Sequence, residues 1–124
     1  MSGLKLLIVD DDRDFADSMA ELLELSGFRV DVAYSGEAGI EMAARCDYDT
    51  ILMDISLPGL NGVESLLRIR QISPGVRCFL MTGFSATEIA RQGIEAGALE
   101  ILIKPIEPEI LSRKLATAEN GRSL

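Results

Sequence analysis

Three observations predict an α/β domain built on a doubly wound parallel sheet. Short apolar runs alternate five times with amphipathic stretches at helical spacing. Four of those runs are nearly continuous apolar segments, as strands covered on both faces require. The length of 124 residues is that of one ordinary domain, able to bury a core without disulfide or metal staples.

The first run, Leu4–Val9, is broken only by Lys5 and ends in three consecutive carboxylates, Asp10, Asp11 and Asp12. Phe15, Met19, Leu22 and Leu23 then recur at helical spacing, and Gly27 closes that helix. Val30, Val32 and Tyr34 alternate with Asp31 and Ala33, a strand with one clearly apolar face and so an edge strand. Ser35 is an N-cap for a helix carrying Ile40, Ala43 and Ala44. Thr50–Met53 is a wholly buried strand that ends at Asp54. Pro58-Gly59 lies in the loop Ile55–Leu60, and Asn61 caps a helix carrying Val63, Leu66 and Leu67. Val76–Met81, interrupted by Arg77, is the fourth strand and leads into Thr82. Ser85 and Glu88 have capping-box spacing for the next helix, which Gly97 ends. Leu99–Ile103 is the fifth strand, followed by Lys104-Pro105. Pro108 suits the first turn of a last helix with Leu111, Leu115 and Ala118 inward and a frayed tail from Asn120. One domain over 1–124 is expected, its core over 4–118 and residues 119–124 a tail or linker stub. Right-handed crossovers and an edge second strand lead to the flavodoxin-like order 2-1-3-4-5.

Composition narrows the function. The chain is 48% hydrophobic and 26% charged, which excludes a disordered or collagenous protein. Twelve Lys and Arg against twenty Asp and Glu give a net charge of -8, without the basic face that nucleic acid requires. No histidine occurs, and Cys46 and Cys78 form no CxxC, so zinc sites of the usual kind and histidine triads are excluded. Apolar runs of about six residues are too short to span a bilayer, and no signal peptide opens the chain. A reduced, cytoplasmic protein is expected.

In open parallel sheets ligands bind beyond the carboxyl ends of the strands. Here those ends carry Asp10, Asp11 and Asp12 after the first strand, Asp54 after the third, Thr82 after the fourth and Lys104 after the fifth. Taken singly, each has an ordinary reading: helix cap, loop acid, backbone-bonded hydroxyl, surface lysine. Together they converge on one rim. Clustered carboxylates repel one another, a divalent cation relieves that repulsion, and an all-oxygen ligand set favours Mg²⁺. One carboxylate can then act as a nucleophile towards phosphorus, while Thr82 donates to a phosphoryl oxygen and Lys104 pairs with another.

The segments LLIVDDD at 6–12, ILMDISLPGLNG at 51–62, LMTG at 80–83 and GALEILIKP at 97–105 resemble those of a two-component response-regulator receiver domain, and the likeness covers residues 4–118. The resemblance implies a signalling phosphoacceptor, not an enzyme with its own substrate. Asp54 would take a phosphoryl group from the phosphohistidine of a sensor histidine kinase or phosphotransfer protein. Asp11 would bind Mg²⁺ directly, Asp10 more through water, and Asp54 and the backbone carbonyl of Ser56 would complete the protein ligands. Thr82 and Lys104 would be the switch hydroxyl and the family's lysine, and Lys104-Pro105 a cis peptide. Asp12 is an extra carboxylate that can cap the first helix.

One position departs from the family pattern: where the family carries an aromatic residue three places before the lysine, this chain has Ile101, and an aliphatic side chain cannot report the switch by an aromatic rotation. Phe84, two places after Thr82, is expected to shield Asp54 and slow loss of its phosphate. Output would pass through the face of the fourth helix, fifth strand and fifth helix to a downstream protein or output domain, with phosphorylation-dependent homodimerisation as one form. Neither nucleic acid nor membrane is an expected direct partner. Because the chain stops soon after the fifth helix, it reads either as a stand-alone receiver or as a domain of a larger regulator. Alternatives are a degenerate receiver acting as a phosphate-independent interaction module and a Mg²⁺-dependent phosphohydrolase of the haloacid-dehalogenase type, whose DxD pair Asp10-x-Asp12 superficially matches. A flavin- or nucleotide-binding module fits less well, because the first loop is acidic and neither GxGxxG nor GxxxxGK[ST] occurs.

Overall fold

A computed structural model describes residues 4–83 and 87–123 of the chain. Strands and helices alternate throughout: β1 (Lys5–Val9), α1 (Arg13–Leu25), β2 (Arg29–Ala33), α2 (Gly36–Arg45), β3 (Thr50–Asp54), α3 (Gly62–Ile72), β4 (Arg77–Thr82), α4 (Thr87–Glu95), β5 (Glu100–Ile103) and α5 (Pro108–Ser123). The strands form one parallel sheet in the order β2-β1-β3-β4-β5, as the crossover argument predicts. Register sets the carboxyl ends level: Val9 lies opposite Ala33 and Met53, Asp54 opposite Met81, and Thr82 opposite Ile103.

Side-chain alternation splits the core between the two faces. Leu7, Val9, Ile51, Met53, Cys78 and Leu80 point to the face covered by Ala43 of α2 and Val63, Leu66 and Ile69 of α3, with Ile89 of α4 packed at its margin. Leu6, Ile8, Leu52, Phe79, Met81 and Leu102 point to the opposite face, under Ala16, Met19 and Leu23 of α1 and Leu111 and Leu115 of α5. Helix starts follow the sequence. Asp12 accepts from the Phe15 N–H, Ser35 from the Ala38 N–H, and Asn61 and Glu64 form a reciprocal capping box. Gly27 and Gly97, at φ 101° and 108°, occupy the left-handed conformation that ends α1 and α4.

Several expectations need correction. The inward stripe of α1 is Ala16, Met19, Ala20 and Leu23, which turns Leu22 outward to 42% exposure. Leu67 on α3 and Ala44 on α2 likewise point out, and Gly39 faces the sheet in place of a larger residue. β5 is a second edge, so it is not covered along its length: Ile103 is 55% exposed and only Leu102 of the strand is buried. α5 stays helical to Ser123 instead of fraying from Asn120. Ser85 lies outside the described residues, as does the side chain of Ala118. No helix among the described residues is long and apolar enough to cross a membrane.

Cys78 in the centre of β4 has a measurable consequence. Burial pushes its thiol up from 9.0 to about 12, with the charge of Arg70 opposing weakly. Above pH 9 the unfolded chain releases this proton and the folded chain keeps it, so stability falls as pH rises from 9 towards 12. The slope from this group approaches ~1.4 kcal/mol per pH unit. Urea unfolding of Cys78→Val between pH 8 and pH 11 is expected to show a shallower alkaline decline than the parent; identical slopes would contradict the shift.

Candidate functional site

Each strand end delivers a polar residue to the same rim. Asp10 leaves β1 with its N–H donating to the Ala33 carbonyl (3.1 Å), which ties the start of the acidic loop to β2. Its side chain is wholly buried. Oδ1 of Asp10 accepts from the Asp12 N–H (2.9 Å), and Oδ2 accepts from Nζ of Lys104 (2.6 Å). Asp54, last residue of β3 and also buried, accepts from the Ser56 N–H through Oδ1 (2.8 Å) and from Lys104 through Oδ2 (3.2 Å). Asp11 is exposed and places a carboxylate oxygen within 4.8 Å of oxygens from both Asp10 and Asp54. Lys104 enters from the end of β5, its N–H donating to the Thr82 carbonyl (2.8 Å), and the Lys104-Pro105 peptide is cis. Thr82 is buried at the end of β4, one residue beyond the partner of Asp54.

The charges are coupled. Burial, the largest influence, raises the Asp10 carboxyl above its ordinary value and the charge of Asp54 adds to the rise, against the opposing hydrogen bonds from Lys104 and Asp12 and the charge of Lys104. Burial works against the Lys104 ammonium, but its hydrogen bond to Asp10 and the charges of Asp54 and Asp10 outweigh this and hold its pKa above the usual lysine value. One cation thus faces two buried carboxylates with a third nearby, leaving an excess of negative charge. The donor set is all oxygen, with neither nitrogen nor sulfur ligands, and it fits a hard divalent cation of the Mg²⁺ kind.

The sequence-derived candidates Asp10, Asp11, Asp54 and Lys104 therefore meet, Thr82 joins them through the Lys104 backbone, and Ser56 contributes its amide. Asp12 caps α1, as its ordinary reading has it. Ile101 packs against the core on the α2 and α3 face of the sheet, where a β-carbon on Gly93 would come within 3.2 Å of its Cδ1. Pro105 lines a cleft with Phe15, Ser18 and Lys104. Phe84 lies outside the described residues. Sequence reasoning missed one contact. Phe15, read as core, sets its ring centroid 4.4 Å from Nζ of Lys104. Its position just inside the helix that follows the acidic loop was the available signal.

The model of the response regulator receiver domain matches residues 6–116. Over 119 residues the chain is 35% identical to a protein of Thermotoga maritima named as a cyclic di-GMP phosphodiesterase, covering 96% of this chain and 32% of that protein. It is 34% identical over 122 residues to the transcriptional regulatory protein CusR of Escherichia coli, covering 98% of this chain and 54% of CusR. The chain thus spans a third to about half of these curated relatives, and their whole-protein names describe more than the part it matches. Among solved structures it is similar to a CheY-like receiver domain protein of Methanospirillum hungatei, with 30% identity, a TM-score of 0.94 and 98% of each chain covered. A match running from β1 into α5, on a sheet of the same winding, places the chain in the response regulator receiver domain family, the signalling phosphoacceptor domains of two-component systems.

Proposed function

We propose that this receiver domain takes a phosphoryl group onto Asp54 from the phosphohistidine of a sensor histidine kinase or phosphotransfer protein in the cytoplasm. The observation that carries this reading is the bridge of one ammonium, Lys104, between Asp10 and Asp54, with Asp11 in reach of both. An oxygen of Asp54 forms the new bond to phosphorus as the phosphorus–nitrogen bond of the donor breaks, and the electron pair stays on the imidazole. Ser56 holds Asp54 through its backbone N–H, which fixes the direction of the carboxylate before the phosphorus arrives. Lys104 then pairs with a phosphoryl oxygen in place of a carboxylate, and Thr82 donates its hydroxyl to another. Asp11, Asp54 and the Ser56 carbonyl are the ligands assigned to Mg²⁺, with Asp10 acting through water. When bound, the ion neutralises charge on the phosphoryl oxygens.

Phosphorylation adds nearly two negative charges and strong acceptors, and movement of Thr82 and Lys104 towards them biases the face of α4, β5 and α5 that meets a downstream protein or output domain. With Ile101 in the usual aromatic place, the bias passes through the backbone after Thr82 and the packing of Gly93 on Leu80 and Ile101. A surplus of acidic side chains argues against direct binding to nucleic acid or anionic membrane.

Incubation with acetyl phosphate and Mg²⁺, followed by intact mass spectrometry, tests the reading. One phosphate adduct is expected, and Asp54→Asn abolishes it. No adduct on the parent protein indicates a degenerate receiver instead, and continuous turnover of acetyl phosphate without a stable adduct indicates a phosphohydrolase. Mg²⁺ alone is expected to stabilise the parent by about 2.7 kcal/mol at a hundred times its dissociation constant. In Asp11→Asn, most of that gain disappears from a thermal melt at the same Mg²⁺ concentration.

A further inference from the structure

The geometry points to Phe15 as a positioning residue for Lys104: its ring face holds the ammonium over the site. This deepens the phosphoacceptor reading above and rests on it for its kinetic consequence. An ammonium has three N–H groups. Two directions are taken by Oδ2 of Asp10 at 2.6 Å and Oδ2 of Asp54 at 3.2 Å. The Phe15 ring occupies a further side, with its centroid 4.4 Å from Nζ, well inside the range of cation–π attraction. Phe15 is placed there by local structure: it lies in the first turn of α1, and its N–H donates to the Asp12 cap at 3.1 Å.

Lysine reaches the site on a flexible four-carbon stem, and its side chain keeps 22% exposure. When a phosphoryl group arrives, Lys104 has to exchange a carboxylate oxygen for a phosphoryl oxygen without leaving for solvent. Throughout that exchange a ring face offers the ammonium a partner that does not compete for the same donor direction. The ordinary role of a half-buried Phe in this place is to pack against Ala16, Met19 and their neighbours, and Phe15 does that too. An aliphatic residue of similar size serves the packing but not the cation.

Phe15→Leu keeps an apolar side chain and removes the quadrupole, Phe15→Tyr keeps both, and pentafluorophenylalanine at position 15 keeps the shape but reverses the sign of the ring face. Two rates are read for each in the full chain: phosphate uptake from acetyl phosphate with Mg²⁺, and reductive methylation of Lys104 followed by peptide mass. With Leu or the fluorinated ring, uptake is expected to slow about fivefold and Lys104 methylation to quicken by a similar factor, whereas Tyr keeps both near the parent values. Parent rates in the Leu variant, or a fluorinated variant that behaves like Phe, overturn the proposal and leave Phe15 a packing residue. If the parent protein takes up no phosphate, the phosphoacceptor reading fails, and the methylation rates alone decide whether Phe15 holds Lys104.

Discussion

Lys104→Met is expected to lower the unfolding free energy at pH 7 by about 3–5 kcal/mol, because it strands buried charge. The ammonium is the only cation among the described contacts of the Asp10 and Asp54 carboxylates. Asp10 has no exposed side-chain surface, so water cannot replace the lost partner. The sign of the pH dependence follows. Without the ammonium the Asp10 pKa, already above 3.8, rises further, so the folded state holds a proton that the unfolded chain releases. The variant's deficit is therefore small near pH 4, where the unfolded chain still holds part of that proton, and grows as the pH rises to 7 and the unfolded chain gives it up. Urea unfolding at both pH values measures it. Asp10→Asn in the Lys104→Met background is expected to recover much of the loss by removing the stranded charge, and the double-mutant cycle gives the coupling. A deficit under about 1 kcal/mol that does not change with pH would mean that Lys104 does not neutralise the site.

Why the rim was legible in advance, and parts of the packing were not, comes down to what each depends on. In a doubly wound parallel sheet, the residue after every apolar run must arrive at the same edge, so Asp10, Asp54, Thr82 and Lys104 could be grouped from chain order alone. Caps were equally local: Asp12, Ser35 and Asn61 each act within three residues. The inward faces of the helices were not local. The buried positions of α1 and α2 include Ala16, Ala20 and Gly39, small residues that let the helix axis come close, and a β-carbon on Gly39 would meet Val9 at 2.9 Å. Counting large side chains therefore favoured Leu22 and Leu67, which the closeness of the helices turns outward. The exposure of Ile103 had no local signature either, because an apolar run specifies a strand and only the strand count makes it an edge. The Phe15–Lys104 contact joins residues from opposite ends of the chain, and the place of Phe15 just after the acidic loop was its one local signal.

Gly62→Ala sets helix propensity against steric exclusion, and exclusion is expected to win. Alanine is about 1 kcal/mol better than glycine inside a helix, so on propensity alone the change at the start of α3 would stabilise. But a β-carbon on Gly62 would lie 2.4 Å from the Asp54 carbonyl oxygen, 2.8 Å from Cα of Ile55 and 3.0 Å from the Asp54 carbonyl carbon. All three are backbone atoms, so no rotamer change relieves the clash. The Gly62 N–H donates to the Ile55 carbonyl at 3.0 Å, which closes the loop between β3 and α3 tightly on itself. Relief requires moving α3 away from the end of β3 or pushing the Asp54–Ile55 peptide towards the rim. Either route is expected to cost about 3 kcal/mol net in urea unfolding. The second also turns the Asp54 carboxylate off its Ser56 and Lys104 contacts, so phosphate uptake from acetyl phosphate should fall further than the folded fraction explains. Gly75→Ala is the matched control: nothing lies within 4 Å of its β-carbon position, and a gain of about 0.4–1 kcal/mol is expected from the stiffer unfolded chain. A Gly62→Ala protein as stable as Gly75→Ala, with unchanged uptake, would mean that the β3–α3 loop is not held at this distance and does not fix where Asp54 points.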